Sequence, residues 1–232
     1  MDKARLEALS DSIFAVAMTL LIFDVSIPLS TAPVSNAHLW FLLGNLWPLF
    51  VSYIFTFIVL SVFWINHHFL FHTFTARVNR NLNLLNILYL MFLVFIPFSA
   101  RLFGAYPDNQ PTVIIYGLNI LAVALLTAAM QWYVRTHPKL RSEHLSKLLV
   151  RQAQIRIGLT ISFYIAGVAV SFFYIPASIL LFLFPIIFNI IPGSLTLTSK
   201  LLGYKMPKDA PYADREADAE EENSESNVSS GL

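Results

Sequence analysis

Long apolar stretches divided by short polar ones set the pattern of this chain. Runs of roughly twenty residues, the length a helix needs to cross a bilayer, fall at about 9–28, 41–65, 82–103, 112–134, 155–175 and 177–198. The pattern predicts an all-α membrane protein with six transmembrane helices. The fifth and sixth runs nearly touch, and Tyr174-Ile175-Pro176 marks a tight turn between them, because proline lacks the N–H that would continue a helix. Pro185 and Pro192 lie inside the last run and predict kinks, with neighbouring groups meeting the freed carbonyls.

Composition supports the same class. Charged residues make up 12% and hydrophobic residues 56% of the 232 positions, too little charge to cover a soluble domain of that size. The first run is too long for a cleavable signal peptide and carries Asp11 and Asp24, so none is expected. Cysteine is absent, which excludes disulfides, thiol nucleophiles and thiolate metal sites. There is no glycine-rich phosphate loop, paired-carboxylate metal site or serine nucleophile elbow. The chain is therefore not expected to be an enzyme or to carry a cofactor.

Basic residues orient the spans. Lys3 and Arg5 precede the first, and Arg77 and Arg80 join the second and third. Arg135, Lys139, Arg141, Lys147, Arg151 and Arg156 join the fourth and fifth, and Lys200, Lys205, Lys208 and Arg215 follow the sixth. With six spans these all fall on one side and only Arg101 on the other. The positive-inside rule then places both termini in the cytosol. Two regions follow: a transmembrane domain over 1–202 and an acidic cytosolic tail over 203–232. The tail holds Glu220-Glu221-Glu222 and several serines and has too little apolar surface to fold, so disorder is expected there.

The first helix carries the candidate chemistry. At about 100° per residue, Ser12, Val16, Thr19, Leu20, Phe23 and Ile27 share one face, and Asp11 points roughly 140° from Val16. On pattern alone, such a stripe is what any helix buries against a neighbour. Asp24 lies near the far end of this helix, either snorkelling into headgroup water or, in several copies around an axis, concentrating cations at a mouth. A second cluster, Trp64-Ile65-Asn66-His67-His68-Phe69-Leu70-Phe71-His72, closes the second span. Adjacent helical histidines diverge by about 100°. His68 and His72 have i, i+4 spacing, but no Glu-x-x-His pattern accompanies them, so no metal site is expected. Asn83 and Asn86 share a face of the third span and suit bonds between helices. Asn119, Gln131 and Asn189 read as packing groups.

The opening Arg5-Leu6-Glu7-Ala8-Leu9-Ser10-Asp11, followed by Phe14-Ala15-Val16-Ala17-Met18-Thr19, resembles the lysosomal-type potassium channels of the transmembrane protein 175 family. Their motif is arginine, three variable residues, then Phe-Ser-Asp; Leu9 stands here for the aromatic. The Trp64-to-His72 stretch and the closing Phe95-Ile96-Pro97-Phe98 of the third span are also similar to that family. The motifs cover the first three spans, and hydropathy alone covers the rest.

The resemblance implies a prokaryotic, single-repeat homotetramer in the plasma membrane, with first helices around a central pore. It implies a hydrophobic constriction of Val16, Leu20 and Phe23 and a polar layer from Thr19; Ser12, on the same face, would add to that layer, and Asp24, by its place on the helix, would sit at the outer mouth. It also implies a structural polar network of Arg5, Ser10, Asp11, Trp64 and His67 or His68. The permeant ion would be potassium, modestly favoured over sodium because it sheds water at lower cost; no Thr-Val-Gly-Tyr-Gly filter occurs in the chain. Expected partners are lipid and further copies of the chain, not nucleic acid. The competing reading is a proton-coupled transporter or proton-leak pathway using Asp11 and His67 or His68, since ionisable groups in a span are functional candidates by default.

Overall fold

The computed structural model describes residues 2–26, 35–142 and 147–190, and these are helical nearly throughout. The expectations for Ile27, Pro192 and the acidic tail lie outside the described residues. Helix α1 covers Lys3–Leu20, capped by the Asp2 side chain, which accepts from the Ala4 N–H at 3.4 Å. A 3-10 turn over Leu21–Asp24 extends it. The polar opening is thus part of the helix and not a preface to it. Helix α2 is Asn36–Asn45 and α3 is Trp47–Phe69, which widens into a π-helical turn over Leu70–Phe74.

The apolar run over 41–65 is therefore two helices. Pro48 sits in the first turn of α3. It has no N–H to bond back into α2, and its ring would clash with a carbonyl of the preceding turn. The short α2 has no buried residue, so the long helix begins at Trp47 and not near residue 41.

Proline divides the next span in the same way, into α4 (Arg80–Val94) and α5 (Ile96–Ala105), with Pro97 in the first turn of α5. The break frees backbone groups that must find partners in an apolar interior. Asn119 supplies them. Its amide nitrogen donates to Phe92 O at 3.0 Å and its oxygen accepts from the Ile96 N–H at 3.1 Å. Helices α6 (Gln110–Thr136), α7 (Lys147–Val170) and α8 (Ile175–Ile190) complete the described chain. Helix α8 runs on through Pro185.

Five described helices are long and apolar enough to cross a membrane: Lys3–Asp24, Trp47–Phe74, Arg80–Ala105, Gln110–Thr136 and Val150–Val170. The apolar α8 is described only as far as Ile190. Contacts between helix ends mark the two sides of the bundle. The segments after α3 and α6 are joined by Ala76 N–H to Leu140 O at 2.7 Å and Ser142 N–H to Phe74 O at 2.9 Å. At the opposite end, Asp24 after α1 meets Arg101 in α5 at 3.8 Å.

Helix α6 is the hub, packed against α4, α5 and α7. Small residues let its neighbours close in. A Cβ on Gly117 of α6 would lie 2.5 Å from the Phe182 ring, and one on Gly167 of α7 would lie 2.4 Å from it. Phe182 of α8, 1% exposed, fills the space those two glycines leave.

Candidate functional site

The two faces of α1 differ sharply. Phe14, Ala17 and Leu21 are each 1% exposed, while Val16 is 55%, Leu20 42% and Phe23 72% exposed. The buried face packs against α3 and α4. Ser12 and Thr19 lie on the exposed face. Each hydroxyl donates back to its own helix: Ser12 to Ala8 O at 2.8 Å, and Thr19 to Ala15 O at 2.9 Å and Val16 O at 3.0 Å. With the hydrogen so used, the oxygen lone pairs remain free to accept. The exposed stripe therefore alternates apolar surface with acceptor oxygens, and all five predicted residues between 12 and 23 lie on it.

A buried chain of hydrogen bonds fixes the other face. The His67 ring donates from Nε2 to Asn86 Oδ1 at 2.7 Å, Asn86 Nδ2 donates to Ser10 Oγ at 3.0 Å, and Ser10 Oγ donates to Leu6 O at 2.9 Å. Ser10 and Asn86 are fully buried and His67 is 2% exposed. The imidazole is enclosed by Phe71, Tyr89 and Phe14, with ring centroids at 4.7, 5.2 and 5.7 Å. One residue each from α1, α3 and α4 thus satisfies the others where water is absent.

Asp11 is held separately, at the exposed edge of the α1–α3 contact, by Trp64 Nε1 at 2.9 Å. Trp64 stacks on His68 at 5.9 Å, and His68 on His72 at 5.2 Å.

Three expectations about this network change. His67 alone enters the hydrogen-bonded chain; His68 is exposed and only stacks. The link from His67 to Ser10 passes through Asn86, which the sequence marked only as a group suited to bonding between helices. Arg5 is exposed and makes no ion pair with Asp11. Six residues apart on one helix, the two side chains diverge by about 120° and are separated by about 9 Å along the axis, too far for a pair.

Asp24 also differs from expectation. Its carboxylate pairs with Arg101 and is not a free charge, and the Arg101 side chain is 60% exposed against 20% for Asp24. The partner was legible as the one cation predicted on that side, but no local pattern signals the contact. Among the described residues, no group of three or more histidine, aspartate or glutamate side chains is placed to hold a metal ion.

Comparison with known proteins accords with this arrangement. The profile of the family described as endosomal/lysosomal potassium channel TMEM175 matches residues 5–97, which include Leu6, Ser10, His67 and Asn86 and so the whole hydrogen-bonded chain. A potassium channel of Streptomyces collinus is 31% identical over 182 residues, spanning 77% of this chain and 86% of that protein. A potassium channel of a Chryseobacterium species is 28% identical over 176 residues, 75% of this chain and 85% of that one. Among solved structures, the lysosomal potassium-selective channel TMEM175 homologue from Chamaesiphon minutus superposes with a TM-score of 0.68 at 26% identity, covering 85% of this chain and 97% of that chain.

Proposed function

Because the chain belongs to the endosomal/lysosomal potassium channel TMEM175 family, we propose that it is a passive potassium channel whose ion path runs along the exposed face of α1. Four copies assemble around one axis, each contributing six spans, with both termini in the cytosol of a prokaryotic plasma membrane. Residues 1–202 form the channel and 203–232 a cytosolic tail. Val16, Leu20 and Phe23 form a constriction too narrow for a full hydration shell, so each ion sheds water to pass. Potassium passes more readily than sodium because its shell is looser, which gives modest selectivity. Thr19 and Ser12 turn their acceptor oxygens toward the path and replace part of the lost water. No catalytic group or cofactor takes part.

One observation carries this reading. The unburied face of α1 combines Val16, Leu20 and Phe23 with Ser12, Thr19 and the edge of Asp11. The Asp11 edge is costly against lipid, and a hydrated axis shared by several copies suits the face. The buried face supports the same view: His67 and Asn86 lock α1 against α3 and α4 in one orientation, as a pore-lining helix requires. Proton coupling is less well served. Asp11 is engaged by Trp64, and His67 is enclosed by three aromatic rings, so the two are not linked by a chain of titratable groups.

The test is current from purified protein in planar bilayers under opposed potassium and sodium gradients. A reversal potential that tracks potassium supports the channel. Flux that requires a proton gradient, without conductance in its absence, refutes it. Val16→Ala shortens each side chain by about one bond, about 1.5 Å, and is expected to raise conductance and bring the reversal potential closer to zero.

A further inference from the structure

A slot of about 210 Å³ opens on the flank of the bundle between α6 and α7, far from the exposed face of α1 in sequence. Ala128, Ile157 and Ile161 give it an apolar lining, and Gln131, Trp132, Arg135 and Gln154 give it a polar one. Ala128 and Arg135 are seven residues apart on α6, so the slot passes from hydrocarbon-like lining to a cation over about 10 Å. Gly158 keeps it open: no atom lies within 4 Å of the position its Cβ would take. Trp132 is 58% exposed at the mouth, where an indole suits the boundary between acyl chains and headgroups. Arg135 is half-buried and forms no ion pair with a described residue. No carboxylate is among the described residues that line the slot.

We infer that this slot binds one anionic phospholipid, with its phosphate on Arg135 and the start of an acyl chain between α6 and α7. The charge pattern selects the headgroup. A guanidinium with no carboxylate among the described lining residues attracts a net negative head, whereas the choline of a zwitterionic lipid finds no partner among them. The apolar depth selects a lipid over a free anion, because an inorganic phosphate would leave that depth unfilled.

The experiment is native mass spectrometry of the detergent-solubilised full chain with equal amounts of palmitoyl-oleoyl phosphatidylglycerol and palmitoyl-oleoyl phosphatidylcholine. One phosphatidylglycerol per chain should be retained in preference to phosphatidylcholine. Arg135→Gln should lower that retention about fivefold, the effect of one basic side chain near a phosphate. Arg135→Lys should keep most of it, and Lys139→Gln, at an exposed position outside the slot, should leave it unchanged. Gly158→Leu fills the slot and should remove retention of both lipids without altering the size-exclusion profile. Equal retention of the two lipids by the unmodified chain would overturn the proposal. So would an equal loss in Lys139→Gln and Arg135→Gln, unchanged retention in Gly158→Leu, or displacement of the lipid by millimolar inorganic phosphate.

Discussion

Replacing Asn86 with leucine keeps the volume and removes the polar link between α1, α3 and α4. The His67 Nε2–H then loses its acceptor at 2.7 Å. With the ring 2% exposed and enclosed by Phe14, Phe71 and Tyr89, no water can take its place. An unsatisfied buried donor costs about 1–3 kcal/mol. Loss of the 3.0 Å bond to Ser10 adds about 0.6 kcal/mol, a typical value for a bond between membrane helices. Ser10 still donates to Leu6 O and adds little more. The total is about 2–4 kcal/mol. At about 2–4 °C per kcal/mol for a domain of this size, the thermal midpoint should fall by about 4–16 °C. The assay is the heat-induced loss of the monodisperse size-exclusion peak of detergent-solubilised protein. Trp64→Phe is the matched comparison: its bond to Asp11 lies at an exposed edge, where water can replace the donor, so the fall should stay below about 1 kcal/mol. A midpoint unchanged by Asn86→Leu, or lowered more by Trp64→Phe, would refute the assignment of the anchoring energy to the buried chain.

Two further outcomes follow from close contacts. Gly167→Ala would place a methyl 2.4 Å from the Phe182 ring, and overpacking of this kind costs about 1–3 kcal/mol; the same thermal assay should show a clear loss, whereas Gly44→Ala, with no atom within 4 Å, should show none. Arg101→Gln should expose the Asp24 charge and raise single-channel cation conductance at low ionic strength, and Asp24→Asn should lower it by leaving Arg101 alone. Both effects should fade near 1 M salt, where the screening length is about 3 Å.

How much of this was legible beforehand depended on whether a feature is local. The faces of α1 follow from a helical period, which acts within a few residues; proline chemistry located the junction of α7 and α8, although the turn lies over 171–174 and Ile175 and Pro176 already belong to α8. The break at Pro48 acts just as locally, yet the apolar residues before it hid the short α2, because hydropathy is the same for one helix and for two. Interactions between helices were legible only as unpaired needs. Asn86 and His67 were each recognisable as polar groups that must find partners in an apolar setting, but which of His67 and His68 turns inward depends on how α3 is rotated against α4. Asp24 and Arg101 lie 77 positions apart, and no periodicity joins them. Asn119 likewise drew notice as a packing group, while its task of closing the break at Pro97 depends on where α6 crosses α5. The glycines at 117 and 167 carry no sequence signal of the ring they accommodate.

The central claim is that the exposed face of α1 borders the water that ions cross. The chain contains no cysteine, so Val16→Cys introduces its sole thiol. The decisive measurement is potassium current through Val16→Cys before and after a water-soluble, positively charged methanethiosulfonate reagent, with Leu180→Cys, 66% exposed on α8, as the companion. The account predicts that modification removes most of the current at position 16 and leaves that of the companion intact. Undiminished current through a protein whose mass shows Cys at position 16 fully modified would contradict it.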